Sequence, residues 1–112
     1  MTVAHDTQLA ELRAVCPGAV LMQEGGVTYV YLPQLRLPAG CDPAQVDALL
    51  RPGPGPDGYT TRLFLSHPFP NKGQNWTMHR ILDKAWHTFS FNNVPADIRL
   101  IEILANHLKV LR

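Results

Sequence analysis

A chain of 112 residues, 46% hydrophobic and 17% charged, holds one compact domain and is too short for two. Its formal net charge of +1 is spread over scattered basic residues, which gives no electrostatic reason to bind nucleic acid or an anionic membrane. No apolar stretch approaches the roughly 20 residues that span a bilayer, and His5 and Asp6 stand where the apolar core of a signal peptide would start. Cys16 and Cys41 are therefore read as reduced thiols, and the chain as one cytoplasmic domain over residues 1–112.

Asp6 is suited to cap a first helix, whose apolar positions Leu9, Leu12 and Cys16 follow helical spacing and which Pro17-Gly18 ends. Ala19 to Gln23 reads as a strand. Glu24-Gly25-Gly26 reads as a tight turn, and Val27 to Leu32, β-branched and aromatic, as the returning strand. Pro33, Pro38 and Gly40 then break the chain. Val46 to Arg51 has two readings: Asp42-Pro43 favours a short helix, yet the same residues suit a core strand. Arg51 to Gly58, with three prolines and three glycines, is a loop, and Tyr59 to Ser66 is strand-like. From about Ala96 a second helix is expected. Ile101, Leu104, Ala105, Leu108 and Leu111 recur at helical spacing, Asp97 lies in its first turn, and Lys109 and Arg112 in its last. Helix, small antiparallel meander sheet, irregular polar segment and helix make an α+β pattern.

The irregular segment, Ser66 to Phe91, carries both tryptophans and three of the five histidines. Function collects on such loops when a rigid sheet positions them. Trp76, Trp86, Phe89 and Phe91 read first as anchors of this segment to the core.

The order of motifs here resembles that of ubiquitin-conjugating enzymes. That family shows a strand, a proline- and tyrosine-containing loop, a strand ending in His-Pro-Asn, a short catalytic-cysteine loop, and a tryptophan four residues after it. In this chain Val46 to Arg51 precedes Pro52 to Tyr59. The strand Tyr59 to Ser66 runs into His67-Pro68 with Asn71 three positions on, and Thr77 to Leu82 is followed by Trp86. The chain is also similar to a compact bacterial branch of that superfamily in Gly25-Gly26, Leu37-Pro38-Ala39-Gly40, Val46-Asp47-Ala48-Leu49-Leu50-Arg51 and Trp86-His87-Thr88-Phe89-Ser90. The resemblance implies a UBC-like fold with Val46 to Arg51 as a strand, and partners in a ubiquitin-like conjugation pathway: a ubiquitin-like protein and its activating enzyme. It implies binding positions at Trp76, Trp86, His87 and Ser90.

The departures decide the chemistry. Met78 occupies the position that matches the catalytic cysteine, and a thioether forms no thioester. Phe69-Pro70 separates His67-Pro68 from Asn71, which puts the oxyanion role of that asparagine in doubt. Cys16 falls on the apolar face of the first helix, and Cys41 in a loop far from the matching site. Hydroxyls remain: Ser66, Thr77 and Ser90, with His79 or His87 as base; the plainer reading makes each a backbone partner. His67, His79 and His87 would supply three zinc ligands, but no recognised metal spacing is present, so neither metal nor cofactor is expected.

Three expectations follow. One is a pseudoenzyme that binds a ubiquitin-like protein or its activating enzyme without thioester chemistry. The second is an enzyme that carries the modifier as an oxyester, with Thr77, His79, His67 and Asn71 as catalytic candidates. A structural or interaction module of unrelated function is the third possibility, because fold does not fix function.

Overall fold

A computed structural model describes residues 2–72, 75–92 and 94–112. Helix α1, Thr2–Val15, is followed by β1, Val20–Glu24, and β2, Val27–Arg36. Then come β3, Gln45–Arg51, β4, Arg62–Leu65, β5, Thr77–Ile81, and β6, Lys84–Thr88. Helix α2, Leu100–Leu108, runs into a 3₁₀ turn at Lys109–Leu111. The strands form one antiparallel sheet in the order β1-β2-β3-β4-β6-β5.

This corrects the expected architecture. The chain is mostly sheet, a six-stranded half-barrel flanked by a short N-terminal and a C-terminal helix, and not the UBC-like α+β fold with a small meander sheet and an irregular segment that the motifs implied. The physical reason lies largely in Ser66 to Phe91. Expected to be irregular, it contains the whole β5–β6 hairpin, which extends the meander to six strands. Segment 46–51 is strand and not helix: Ala48, Leu49 and Leu50 are fully buried between β2 and β4, a position that only a central strand occupies.

Both helices also start elsewhere than expected. Helix α1 begins at Thr2, ahead of Asp6, whose side chain lies outside the described residues. Helix α2 begins at Leu100, so Asp97 precedes it. Its first turn is satisfied by Glu102, whose carboxylate accepts the Arg99 N–H at 3.1 Å. Gln8 of α1 accepts the Leu100 N–H at 2.8 Å, and Arg99 pairs with Glu11, so the two helices pack against each other with their polar ends tied.

The sheet carries apolar side chains on both faces. On one, Leu12 of α1 and Leu100, Ile103 and Leu104 of α2 cover Val30, Leu32, Ala48, Leu50, Leu63 and Leu65. On the other, Tyr29, Leu49, Phe64, Ile81 and Trp86 form a second cluster that includes no helical side chain among the described residues. The sheet itself encloses that cluster. The Leu82 N–H at the β5–β6 turn donates to Glu24 Oε2 at the β1–β2 turn, 2.9 Å away and 58 positions apart in sequence, which holds the two hairpin tips together. Trp86 sits 2% exposed in this inner face, its indole N–H donating to Ile81 O at 3.0 Å.

Candidate functional site at the β5 edge

β5 is an edge strand, paired to β6 alone. Because side chains alternate across a strand, Thr77 and His79 face the inner side with Trp86 and Thr88, while Met78 and Arg80 face the other, opposite His87 and Ala85. The result is an exposed edge with Met78 64% accessible in its middle.

Thr77 Oγ1 and His79 Nε2 lie 3.1 Å apart. The imidazole also meets the Phe64 ring edge-on at 5.7 Å between centroids. Burial against that ring, and then repulsion from the Arg62 guanidinium, lower the His79 pKa below its ordinary value. A neutral His79 can therefore accept the Thr77 hydroxyl proton. That contact is the one hydrogen bond of the His79 side chain among the described residues, so no third group orients the ring as a catalytic triad requires.

The remaining sequence candidates are dispersed. His67 is exposed, with Nδ1 2.9 Å from Pro68 O and its ring against Phe69. Asn71 is exposed in the turn that follows. Trp76 is half-buried: its indole N–H donates to Lys72 O, and its ring packs on Phe69 and Phe89, centroids 6.3 and 5.2 Å away. Ser90 Oγ accepts the Tyr59 hydroxyl at 3.2 Å, and Ser66 Oγ accepts the Asp47 N–H at the same distance, so both act as structural acceptors. Trp86 is sealed in the inner cluster, and His87 is half-buried on the opposite face of β6.

His79 and His87 thus point to opposite faces of one hairpin and do not converge on a common ion. Among the described residues no three His, Cys, Asp or Glu side chains group as metal ligands. Both thiols are committed to the interior. Cys16 Sγ lies 3.2 Å from Pro33 O, Cys41 Sγ 3.4 Å from Leu111 O, and burial raises the Cys16 pKa further from thiolate formation.

The polar cluster that sequence reasoning missed stands behind His79. Arg51, at the end of β3, and Arg62, at the start of β4, face each other across the ladder, 2% and 5% exposed. Both donate to Asp57 Oδ2, at 2.9 and 2.8 Å. Arg51 is further held by Gly53 O and Tyr59 O, and the Arg62 guanidinium lies under the Tyr59 ring, 3.9 Å from its centroid. Burial pushes the Asp57 carboxyl up, but hydrogen bonds from Arg51, the Tyr59 N–H and Arg62 outweigh it and hold the group well below the usual carboxylate range. A Cβ at position 55 would lie 2.6 Å from Arg51 Nη1, so any larger residue there would push the guanidinium off its partners. A single acid between two arginines in a Pro/Gly loop was the available signal, but it has meaning only once β3 and β4 are paired.

Comparison with protein-family models, with curated proteins and with solved structures finds no match.

Proposed function

We propose that this chain is a non-catalytic binding module, a pseudoenzyme of a bacterial, cytoplasmic ubiquitin-like conjugation pathway that engages the ubiquitin-like protein or its activating enzyme. The observation that supports it best is the β5 edge itself: Met78 stands exposed where the resembling family keeps its nucleophile, and both thiols of the chain are buried elsewhere. An open strand edge recruits an extended segment by adding it to the ladder, and a large flexible apolar side chain beside that edge supplies contact area. The assignment to the pathway rests on the order of the sequence motifs and not on the architecture, which is a different one.

The 3.1 Å contact between Thr77 and His79 favours a second reading, an oxyester carrier. In it Thr77 Oγ attacks the thioester carbonyl of the charged activating enzyme, His79 Nε2 takes the hydroxyl proton and returns it to the departing thiolate, and the modifier is left on Thr77 as an oxyester.

Intact-mass measurement separates the two. The purified chain is mixed with ATP and with the activating enzyme and ubiquitin-like protein of its own genome. The binding module predicts no adduct while the activating enzyme is charged, together with saturable binding that Met78→Glu weakens at least tenfold without lowering the Tm. An adduct sensitive to alkali, resistant to reductant and lost in Thr77→Ala would establish the carrier instead. Neither adduct nor binding sinks both readings.

A further inference from the structure

Helix α2 carries a wide apolar face, part of which remains accessible. One stripe, Leu100, Ile103, Leu104 and His107, packs inward and is buried. A second stripe, Ile101, Ala105 and Leu108, continues to Arg112 at spacings of four, three and four residues, and it lines a surface groove of about 840 Å³. A helix on the surface of a globular domain needs one apolar stripe, and the other face is ordinarily polar. The opposite wall is the end of β2 and the loop after it, Leu37, Pro38 and Ala39, and the last residue of α1, Val15, lines it as well, 55% exposed.

The side-chain charge on this groove has one sign. Arg36 and Arg112 line it, no Asp or Glu side chain does, and among the described residues neither arginine makes an ion pair. Ile101 and Leu108 are half-buried against the core and Ala105 is exposed, and the outward parts of this stripe select the occupant. Apolar side chains three and four residues apart, with the small Ala105 in the middle, form the ridge-and-groove surface against which a second helix packs closely. We infer that this groove is a docking site for an amphipathic helix of a partner protein, with large aliphatic residues on its buried face and Asp or Glu flanking them to meet Arg36 and Arg112. The site is independent of the β5 edge and of the pathway proposed for it.

The test uses the full chain and three synthetic 16-residue peptides. One has leucines at positions 5, 8, 9 and 12 with glutamates at the flanks, one has lysines in place of the glutamates, and one is a scrambled version of the first. Peptide helicity and affinity are read by circular dichroism and fluorescence anisotropy, and the location by amide-shift mapping. The acidic helix is expected to bind at least tenfold more tightly than either control, with perturbed amides at 35–39 and 101–112. The charge-reversed Arg36→Glu/Arg112→Glu variant should transfer the preference to the lysine peptide. Ala105→Trp, which fills the groove from an exposed position, should lose at least tenfold in affinity with an unchanged Tm. Equal binding of the scrambled peptide, or a preference that does not invert, overturns the inference, as does mapping to β5. So does sedimentation showing a dimer that Ala105→Trp dissolves, because the occupant is then a second copy of the chain. Absence of binding by all three peptides overturns it too.

Discussion

Asp57 neutralises one of two buried guanidiniums, so its loss is costlier than the loss of a surface ion pair. Arg51 and Arg62 would face each other across the ladder with no counter-charge, and Arg62 Nε already lacks a partner. Asp57→Ala is expected to destabilise the fold by about 3 kcal/mol, read as a shift in the urea midpoint. Because the carboxyl titrates well below its ordinary range in the folded state, the contribution is fully present above about pH 4 and fades only on strong acidification. His107 behaves differently. Thr61 Oγ1 donates to Val94 O at 3.0 Å, so it must accept from His107 Nε2, 2.9 Å away, and Nδ1 is left as a buried acceptor without a partner. Burial, followed by repulsion from Arg51 and Arg62, lowers the His107 pKa to about 4. Between the ordinary value of 6.5 and about 4 the unfolded chain binds the proton and the folded chain does not. Stability is therefore complete above pH 6.5 and falls through that window, by about 3 kcal/mol in all. In His107→Gln, which keeps a donor for Thr61 and does not titrate, the difference in unfolding free energy between pH 7.5 and 4.5 should shrink by most of that amount. An unchanged difference would show that the loss arises elsewhere.

At the scale of elements, the two hairpins show what a sequence discloses and what it hides. Gly25-Gly26, with φ of 58° and 79°, is the expected two-residue turn, and β1 and β2 pair around it. The β5–β6 turn is of the same kind: Ile81 pairs with Lys84, and the two residues between them, Leu82 and Asp83, have φ of 53° and 63°. Leucine is a poor residue for that conformation, so nothing in the local sequence announces a hairpin. Leu82 is placed there by tertiary contacts, since it packs on the inner cluster and its N–H meets Glu24. The burial of Cys16, the anchoring role of Trp86 and the first hairpin were readable because apolar spacing and turn chemistry are local, whereas Cys41, read as a loop thiol, is buried against the C-terminal turn. The Arg51–Asp57–Arg62 cluster and the Thr77–His79 pair were not, because they depend on which strands become neighbours. The turn also yields a prediction. Asp83 is exposed and strained, so Asp83→Gly should stabilise by roughly 0.5–1 kcal/mol, whereas Leu82→Gly should be destabilising because it forfeits packing. Thermal unfolding of the pair checks the contrast, and a loss in both would place the strain elsewhere.

For the molecule as a whole, the two faces of the sheet are stabilised by different means. The helix face has α1 and α2 over it, and Leu32, Ala48, Leu50, Leu63 and Leu65 there are fully buried. The inner face depends on the curvature of the sheet, which leaves β1 and β5 as free edges joined at their tips, among the described residues, by the Glu24–Leu82 hydrogen bond. A half-barrel of this kind should open locally at its edges well before it unfolds globally. In hydrogen exchange followed by NMR, amides of β3 and β4 should exchange only through global unfolding, and those of β1 and β5 at lower free energies. Glu24→Ala should speed exchange in β1, β5 and the Leu82 turn, with little change in β3 and β4. The result bears on function, because an edge that opens independently of the core can accept a partner's strand without loss of the fold, and Met78 lies on that edge. Uniform acceleration across all six strands would instead mean that the tip contact stabilises the whole sheet. The β5 edge would then be a rigid surface, and binding there would have to act through the side chains of Met78 and Arg80 rather than through backbone pairing.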